Sequence, residues 1–451
     1  MTLKQSLSTP LDATSKRQAL VLVTFFVVNL LSVVVFNRFI QPQGYEYEAI
    51  ARSLVEGTGY SGAFTGGLFG ATSFMAPLYT YLIYLSFKTF GVGNWWPIQV
   101  FQVLLLSLVP LVLLRIRSQL VPDRPGLSWG VLLLPAIVPF TMYSAYIYQS
   151  AILILLATTG FYLIFAIARQ PRMRYFIKLG ILTGIATLTD PILLIPLAIG
   201  FVWLLFRLRC KGIIRWLTAG VIALLIASPW LYRNYRVFGA FPAIKIQLGW
   251  NLWWGNNPLA TGGIHNPDGG DYTVNYDALS PEEKDSLPLW NEWERDKFYG
   301  RKAVSAINNW IRAAPLSYLK LKLKCLLFYW FGDAWNIGLK KTLVLRRADP
   351  RLAVFFYSTL IPSFLLLFLS IIGIIVGLSK KAYRADTLFF VSVLVPWMGI
   401  YILTHGYTFN RFRVPLDPIL LLFGLLGLSW IVNRLRSSAN NAAHQKVSQL
   451  K

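Results

Sequence analysis

The feature that most constrains this chain is a series of long apolar runs separated by short basic segments. The runs fall at 19–37, 95–114, 128–147, 150–168, 176–189, 191–206, 213–230, 353–378, 386–404 and 415–433. A helix needs about 20 mostly apolar residues to cross the hydrocarbon layer, and most of these runs approach that length. The chain has 451 residues, of which 55% are hydrophobic and only 14% charged. A soluble domain of that size has no core large enough to hide so much apolar surface. The fold class that follows is an all-α polytopic membrane protein with about ten transmembrane helices. The fifth and sixth runs are short and meet at Asp190-Pro191; with basic flanks on both sides they read as a tight hairpin. The first run is too long for a signal-peptide core and lacks a small-residue cleavage site, so it reads as a retained helix.

Charge sets the orientation. With the N-terminus inside, the short segments between runs hold 21 of the 43 basic residues but only three of the 19 acids, Asp12, Asp123 and Asp386. The outer segments carry the rest, spread over far more sequence. Every short loop then obeys the bias of Lys and Arg toward the cytoplasm. The formal charge of +24 is therefore a property of membrane loops, and its clustering excludes a nucleic-acid groove. The expected organisation is a cytoplasmic N-terminus at 1–18, the first helix at 19–37, a first outer loop at 38–94 and helices two to seven over 95–230. A large outer loop at 231–352, helices eight to ten over 353–433 and a cytoplasmic, unstructured tail at 434–451 complete it. Cys210 and Cys325 fall on opposite sides, which excludes a disulfide. His265, His405 and His444 lack the spacing of a zinc site, so no metal ligand is assigned. There is no internal repeat and no inverted symmetry, which argues against a secondary transporter.

Connectors of this length in two outer loops are too long to be mere links. In the first, Gly44 to Leu54 reads as a short amphipathic helix, with Tyr47, Ile50, Ala51 and Leu54 on one face and Gly57 and Gly59 ending it. Glu48 and Arg52, four apart, are expected to pair. Glu46 has no such partner; it is either a surface acid favoured by the helix dipole or a reactive group. A second short apolar helix follows Pro77-Leu78-Tyr79 and ends at Phe90-Gly91. The large outer loop opens with Arg233 and Arg236 at a membrane exit, where arginines also serve as plain interfacial anchors. Leu248 to Pro258 is rich in Trp and Asn, suited to stacking on sugars or an isoprenoid tail, or to an interfacial belt. Ser280-Pro281-Glu282-Glu283 is a capping box, and a helix from about Leu289 to Ala313 follows, with Glu292, Glu294 and Asp296 expected on a solvated face. Before the last run stand Arg411 and Arg413, costly to bury and suited to a ligand or lipid phosphate.

Taken together, Glu46-Tyr47, Ile50-Ala51, Leu54, Gly57-Thr58-Gly59-Tyr60, Pro77-Leu78-Tyr79, Pro229-Trp230, Arg233-Asn234-Tyr235, Trp254-Gly255-Asn256, Arg411-x-Arg413-x-Pro415 and Pro418 resemble the motifs of a known group. That group is the GT-C superfamily of polyprenyl-phosphate-sugar-dependent glycosyltransferases, which includes protein O-mannosyltransferases, the lipid A aminoarabinose transferase and many bacterial relatives. The resemblance covers nearly the whole chain, though each motif alone is loose. It implies a GT-C-like fold with juxtamembrane helices in the two large outer loops, in a bacterial inner (plasma) membrane with the site on its outer face. It implies Glu46 as the catalytic base, with Tyr45, Tyr79, Trp254 and Asn256 on substrate. Many relatives place an Asp about three residues earlier, where this chain has Gln43, so Glu46 must take over that role.

The chemistry agrees with such a site. Nucleotide sugars are cytoplasmic, the long loops are outside, and the chain has no Gly-rich phosphate loop. A sugar on a polyprenyl phosphate, already across the bilayer, is the donor that reaches the outer face. Its leaving group is a phosphate that departs without protonation, so one base on the acceptor hydroxyl suffices. Fixed cations must hold the phosphate: Arg233, Arg236, Arg411 and Arg413, with Lys245 as the next candidate. The expected reaction is transfer with inversion to a lipid, glycan or protein acceptor. No cofactor is required, and a divalent cation stays open. The competing readings are a polysaccharide polymerase or ligase, and a non-enzymatic lipid or polysaccharide transporter. A transporter would carry charges inside its spans, where only Asp190 stands out.

Overall fold

A computed structural model of the chain describes residues 13–38, 41–62, 70–120, 130–209, 212–240, 244–262, 274–331, 350–405 and 410–449. Among them the secondary structure is helical, relieved by one isolated bridge between Ser61 and Ala71. The helices that position the site are α1 (Ala13–Phe36), α2 (Tyr45–Val55), α3 (Pro77–Phe90) and α4 (Trp96–Leu120). They continue with α5 (Ser150–Arg169), α6 (Met173–Thr189), α7 (Leu194–Arg207), α8 (Ile213–Phe238) and α9 (Leu248–Asn256). The remainder are α10 (Glu292–Ala313), α11 (Pro315–Phe331), α12 (Pro350–Ser379), α13 (Lys381–Thr404) and α14 (Asp417–Gln449).

Seven of the ten expected spans are helices long and apolar enough to cross a membrane: those in α1, α4, α5, α8, α12, α13 and α14. The chain is a multi-pass membrane protein. The fifth and sixth runs form two separate shorter helices, α6 and α7. Asp190 stands between them in extended conformation, its carboxylate accepting the Ile192 N–H at 3.2 Å. The third run, 128–147, is a correction. Its described part is a 3₁₀ turn over Val131–Ala136, a short helix over Val138–Met142, and turns from Tyr143 to Gln149. Pro135 and Pro139 each remove a backbone donor within one turn of each other, and the helix breaks at Ile137 between them, whereas single prolines such as Pro110 and Pro396 are carried inside α4 and α13. The tail is a second correction: α14 runs on to Gln449, because the stretch after Arg436 carries neither Gly nor Pro and contains good helix formers. Cys210 lies outside the described residues; Cys325 is buried.

Burial orders the helices. In α1 only 22% of the spanning window is buried, and Leu20, Val23, Val27 and Leu31 face outward, whereas 78% of the last span is buried. The last helix is thus the centre of the bundle. It meets α12 through Gly373 and Gly427, where an added Cβ would lie 1.8 Å from Phe423 O and 2.3 Å from Leu369 O respectively. Small residues that let two backbones touch are what drives helix association where lipid supplies no hydrophobic force. Helices α2 and α3 share a second core with Phe74 and Trp230, to which they contribute Tyr47, Ile50, Tyr79 and Ile83.

Candidate functional site

Helix α2 forms as its pattern requires. Tyr47, Ile50 and Ala51 are buried, and Gly57 and Gly59 take left-handed φ angles of 81° and 84° beyond its end. Glu48 accepts the Gly44 N–H at 3.1 Å and pairs with Arg52 at 2.7 Å, so its charge is spent locally. Glu46 differs. Its Oε2 is buried and has no hydrogen-bond partner among the described residues. A buried carboxylate oxygen without a donor is costly in a purely structural role, and it is the condition of a base awaiting a proton. The residue before it, Tyr45, holds φ at +47°, a left-handed conformation that strains a side-chain-bearing residue.

Three other segments converge on this helix. The first is the turn at 148–149, where Tyr148 packs 5.8 Å from both Tyr45 and Tyr47 (ring centroids). The Tyr47 hydroxyl donates to Gln149 Oε1, and Gln149 Nε2 donates to Asp190 Oδ2 at 3.0 Å. The second is the third outer segment, from which the Arg411 guanidinium lies over the Tyr148 ring at 4.6 Å and over Phe412 at 4.8 Å. The third follows α8: Lys245 Nζ forms an ion pair with Asp190, 3.7 Å from its Oδ2 and beyond hydrogen-bond distance. His405 feels both cations. Burial first, then the positive charges of Arg411 and Lys245, push its imidazole down to about 3. Its ring is hydrogen-bonded with Thr404 Oγ1 at 2.8 Å. Arg411 and Lys245 thus lie about the 148–149 turn and Asp190, and that turn packs on Tyr45 and Tyr47, the two residues flanking Glu46.

The other expected site residues are placed elsewhere. Arg413 is fully buried, with Nε 2.8 Å from Asp417 Oδ1 and Nη2 3.2 Å from Asp417 Oδ2 and from Ser363 Oγ. Its Nη1 donates to Trp330 O, which leaves no face of the guanidinium for a ligand. Arg233 donates to Thr72 O, Ser73 Oγ, Asn234 Oδ1 and Tyr60 O at 2.7–3.2 Å, which ties the first outer segment to α8. Arg236 is exposed and bonded to Tyr232. Tyr79 is buried with its hydroxyl on Gln102 at 2.7 Å. Asn256 joins α9 to Leu403 O (2.9 Å) and to Tyr318 (3.0 Å), and Trp254 is half-buried on the same helix.

Sequence reasoning missed Asp190, Gln149 and Glu292 as site residues. An acid between two apolar runs was the one available signal for Asp190. Glu292 had none, and the solvated face expected for the acids of α10 is corrected here. Its carboxylate is buried against Thr72 and Ser73, and Asp296 accepts the Trp250 N–H at 3.0 Å. Only Glu294 acts as a surface acid, in a capping box with Asn291. The reason is register: Asn291 starts α10 with its first turn against the first outer segment. Among the described residues, no group of three or more His, Cys, Asp or Glu is placed to hold a metal.

Comparison with known proteins adds the following. Residues 75–232, about a third of the chain, match the family described as dolichyl-phosphate-mannose-protein mannosyltransferase. Gln149 and Asp190 lie inside that stretch; Glu46, Lys245 and Arg411 lie outside it. None of the curated proteins matches the chain in sequence. Among solved structures, it is similar to the oligosaccharyltransferase AglB from Archaeoglobus fulgidus, in complex with an inhibitory peptide and a dolichol-phosphate. There the identity is 13% and the TM-score 0.45, over 94% of this chain and 52% of that one. It is also similar to ArnT from Cupriavidus metallidurans bound to undecaprenyl phosphate, at 14% identity and a TM-score of 0.39, over 92% and 78%. The chain spans about half the length of the archaeal enzyme.

Proposed function

We propose that this chain is a membrane glycosyltransferase that moves a sugar from a polyprenyl phosphate to a hydroxyl acceptor on the outer face. The observation that carries the reading is Glu46, whose buried Oε2 has no hydrogen-bond partner among the described residues, on a helix whose Tyr45 and Tyr47 pack on the Tyr148 ring that Arg411 covers. The family match over 75–232 supports it. Glu46 takes the proton of the acceptor hydroxyl, and the freed oxygen attacks the anomeric carbon. The bond from that carbon to the phosphate oxygen breaks, and its electron pair leaves with the phosphate. Arg411 and Lys245 stabilise the charge that develops there, a role worth roughly 2–4 kcal/mol per well-placed donor. One displacement gives inversion. Tyr45 faces the acceptor in this reading; its exposure and its strained backbone next to Glu46 in the chain support that role.

Of the five expected phosphate cations, Arg411 and Lys245 carry the assignment. Arg413, Arg233 and Arg236 support the site as structure. Neither a cofactor nor a divalent cation enters the reaction as proposed. The test is a reconstituted chain given a polyprenyl-phosphate hexose labelled in the sugar, with transfer followed by mass spectrometry of lipid, glycan and protein fractions. Labelled product that disappears with Glu46→Gln supports the reading. A donor left intact in the presence of all three acceptor classes counts against it, and a labelled polymer of repeat units favours a polymerase.

A further inference from the structure

Lys245 sits on a short segment whose backbone is held on both sides. Ile246 donates its N–H to Ser73 O at 2.8 Å. The Ile244 carbonyl accepts Trp230 Nε1 at 2.8 Å and Asn234 Nδ2 at 3.5 Å. The lysine's position therefore depends on where Ser73 is held. Ser73 donates its hydroxyl to Asn234 Oδ1 at 2.6 Å and its N–H to Glu292 Oε2 at 2.7 Å. The Thr72 hydroxyl is 3.0 Å from both oxygens of Glu292. Glu292 thus reaches from α10 across to the first outer segment, some 220 residues earlier in the chain.

We propose that Glu292 is a positioning residue for Lys245: through Thr72 and Ser73 it closes a latch that fixes the 244–246 segment and the ammonium it carries. The proposal rests on the assignment of Lys245 to the donor phosphate. Glu292 bonds to Thr72 and Ser73, so its effect on a donor passes through them. The charged and titratable groups facing it are Arg295 and Asp296 from α10, Arg233 from α8 and Tyr60 from the first outer segment. Burial raises the Glu292 carboxyl to about 7, against the bonds from Ser73 and Thr72 and the charge of Arg295, which lower it. A closed latch therefore binds the proton more tightly than an open one, in which the carboxyl returns to its ordinary range. Closure is fully favoured at acid pH and weakens as pH rises through about 7.

The experiment uses the full chain in nanodiscs, on the acid and alkaline sides of pH 7. It reads hydrogen exchange of the peptide containing Ile246 and binding of undecaprenyl phosphate. Glu292→Ala is expected to speed that exchange and to weaken binding about tenfold, by lowering the fraction of chains with the lysine in place. Glu292→Gln keeps a carbonyl acceptor, so it should restore both readings. It should also abolish the loss of protection seen in the wild type at alkaline pH. In a Lys245→Met background, Glu292→Ala should weaken binding no further. Unchanged exchange at Ile246 in Glu292→Ala overturns the latch, as does an equal loss of binding in the Lys245→Met background. If the wild type does not bind undecaprenyl phosphate, the donor reading fails, and exchange at Ile246 alone then decides whether the latch exists.

Discussion

Replacing Arg413 with alanine separates architecture from chemistry at the third outer segment. Arg413 and Asp417 are both fully buried, one turn apart, with two bonds between them at 2.8 and 3.2 Å. The guanidinium also holds Trp330 O at the end of α11 and Ser363 Oγ on α12. Alanine would leave the Asp417 carboxylate in a dry site without its cation. Removing one partner of a buried pair costs about 3–5 kcal/mol, because the remaining charge stays unsolvated. The lost bonds to Trp330 and Ser363 would also free the contacts among α11, α12 and α14. Thermal unfolding of the detergent-solubilised chain, followed by loss of the monodisperse peak, should show a clear fall in midpoint. The double variant Arg413→Ala, Asp417→Ala should recover part of that loss, since neither charge then remains. An unchanged midpoint together with abolished binding of undecaprenyl phosphate would refute this reasoning and return Arg413 to the phosphate.

Other expectations concern the reactive groups and the orientation. Glu46→Gln should lower transfer by about 10²–10⁴-fold with normal expression, the usual range for a positioned general base, as read by product formation. Glu48→Gln removes the charge paired with Arg52 but keeps an amide oxygen for the Gly44 N–H, and should retain transfer. Arg411→Lys should fold normally yet lose about 30- to 1,000-fold in rate, because lysine lacks the planar fork; normal transfer would place the phosphate elsewhere. A phosphatase reporter fused after Ser286 should be active and one after Lys380 inactive, and the reverse pattern would invert the whole site.

The sequence by itself determined the membrane class, helix α2 with its buried stripe, and the Glu48–Arg52 pair. These are local or compositional matters. Apolar length, period and the i, i+4 spacing fix them before any distant contact forms. It also singled out Glu46, because an acid without a helical partner is visible in a list of neighbours. The same reading placed a helix through 128–147, where hydropathy hid the breaking effect of Pro135 and Pro139. What only the tertiary structure decided is which cation meets which anion. Arg411 and Arg413 are two residues apart and look alike in sequence. Yet one lies over the Tyr148 ring that packs on Tyr45 and Tyr47, and the other is sealed against Asp417. Glu292 and Glu294 are likewise two apart; one latches a segment some 220 residues away and the other caps its own helix. A charge's role depends on what lies across from it and how much water remains. Both are set by packing between segments far apart in the chain, which no local pattern records.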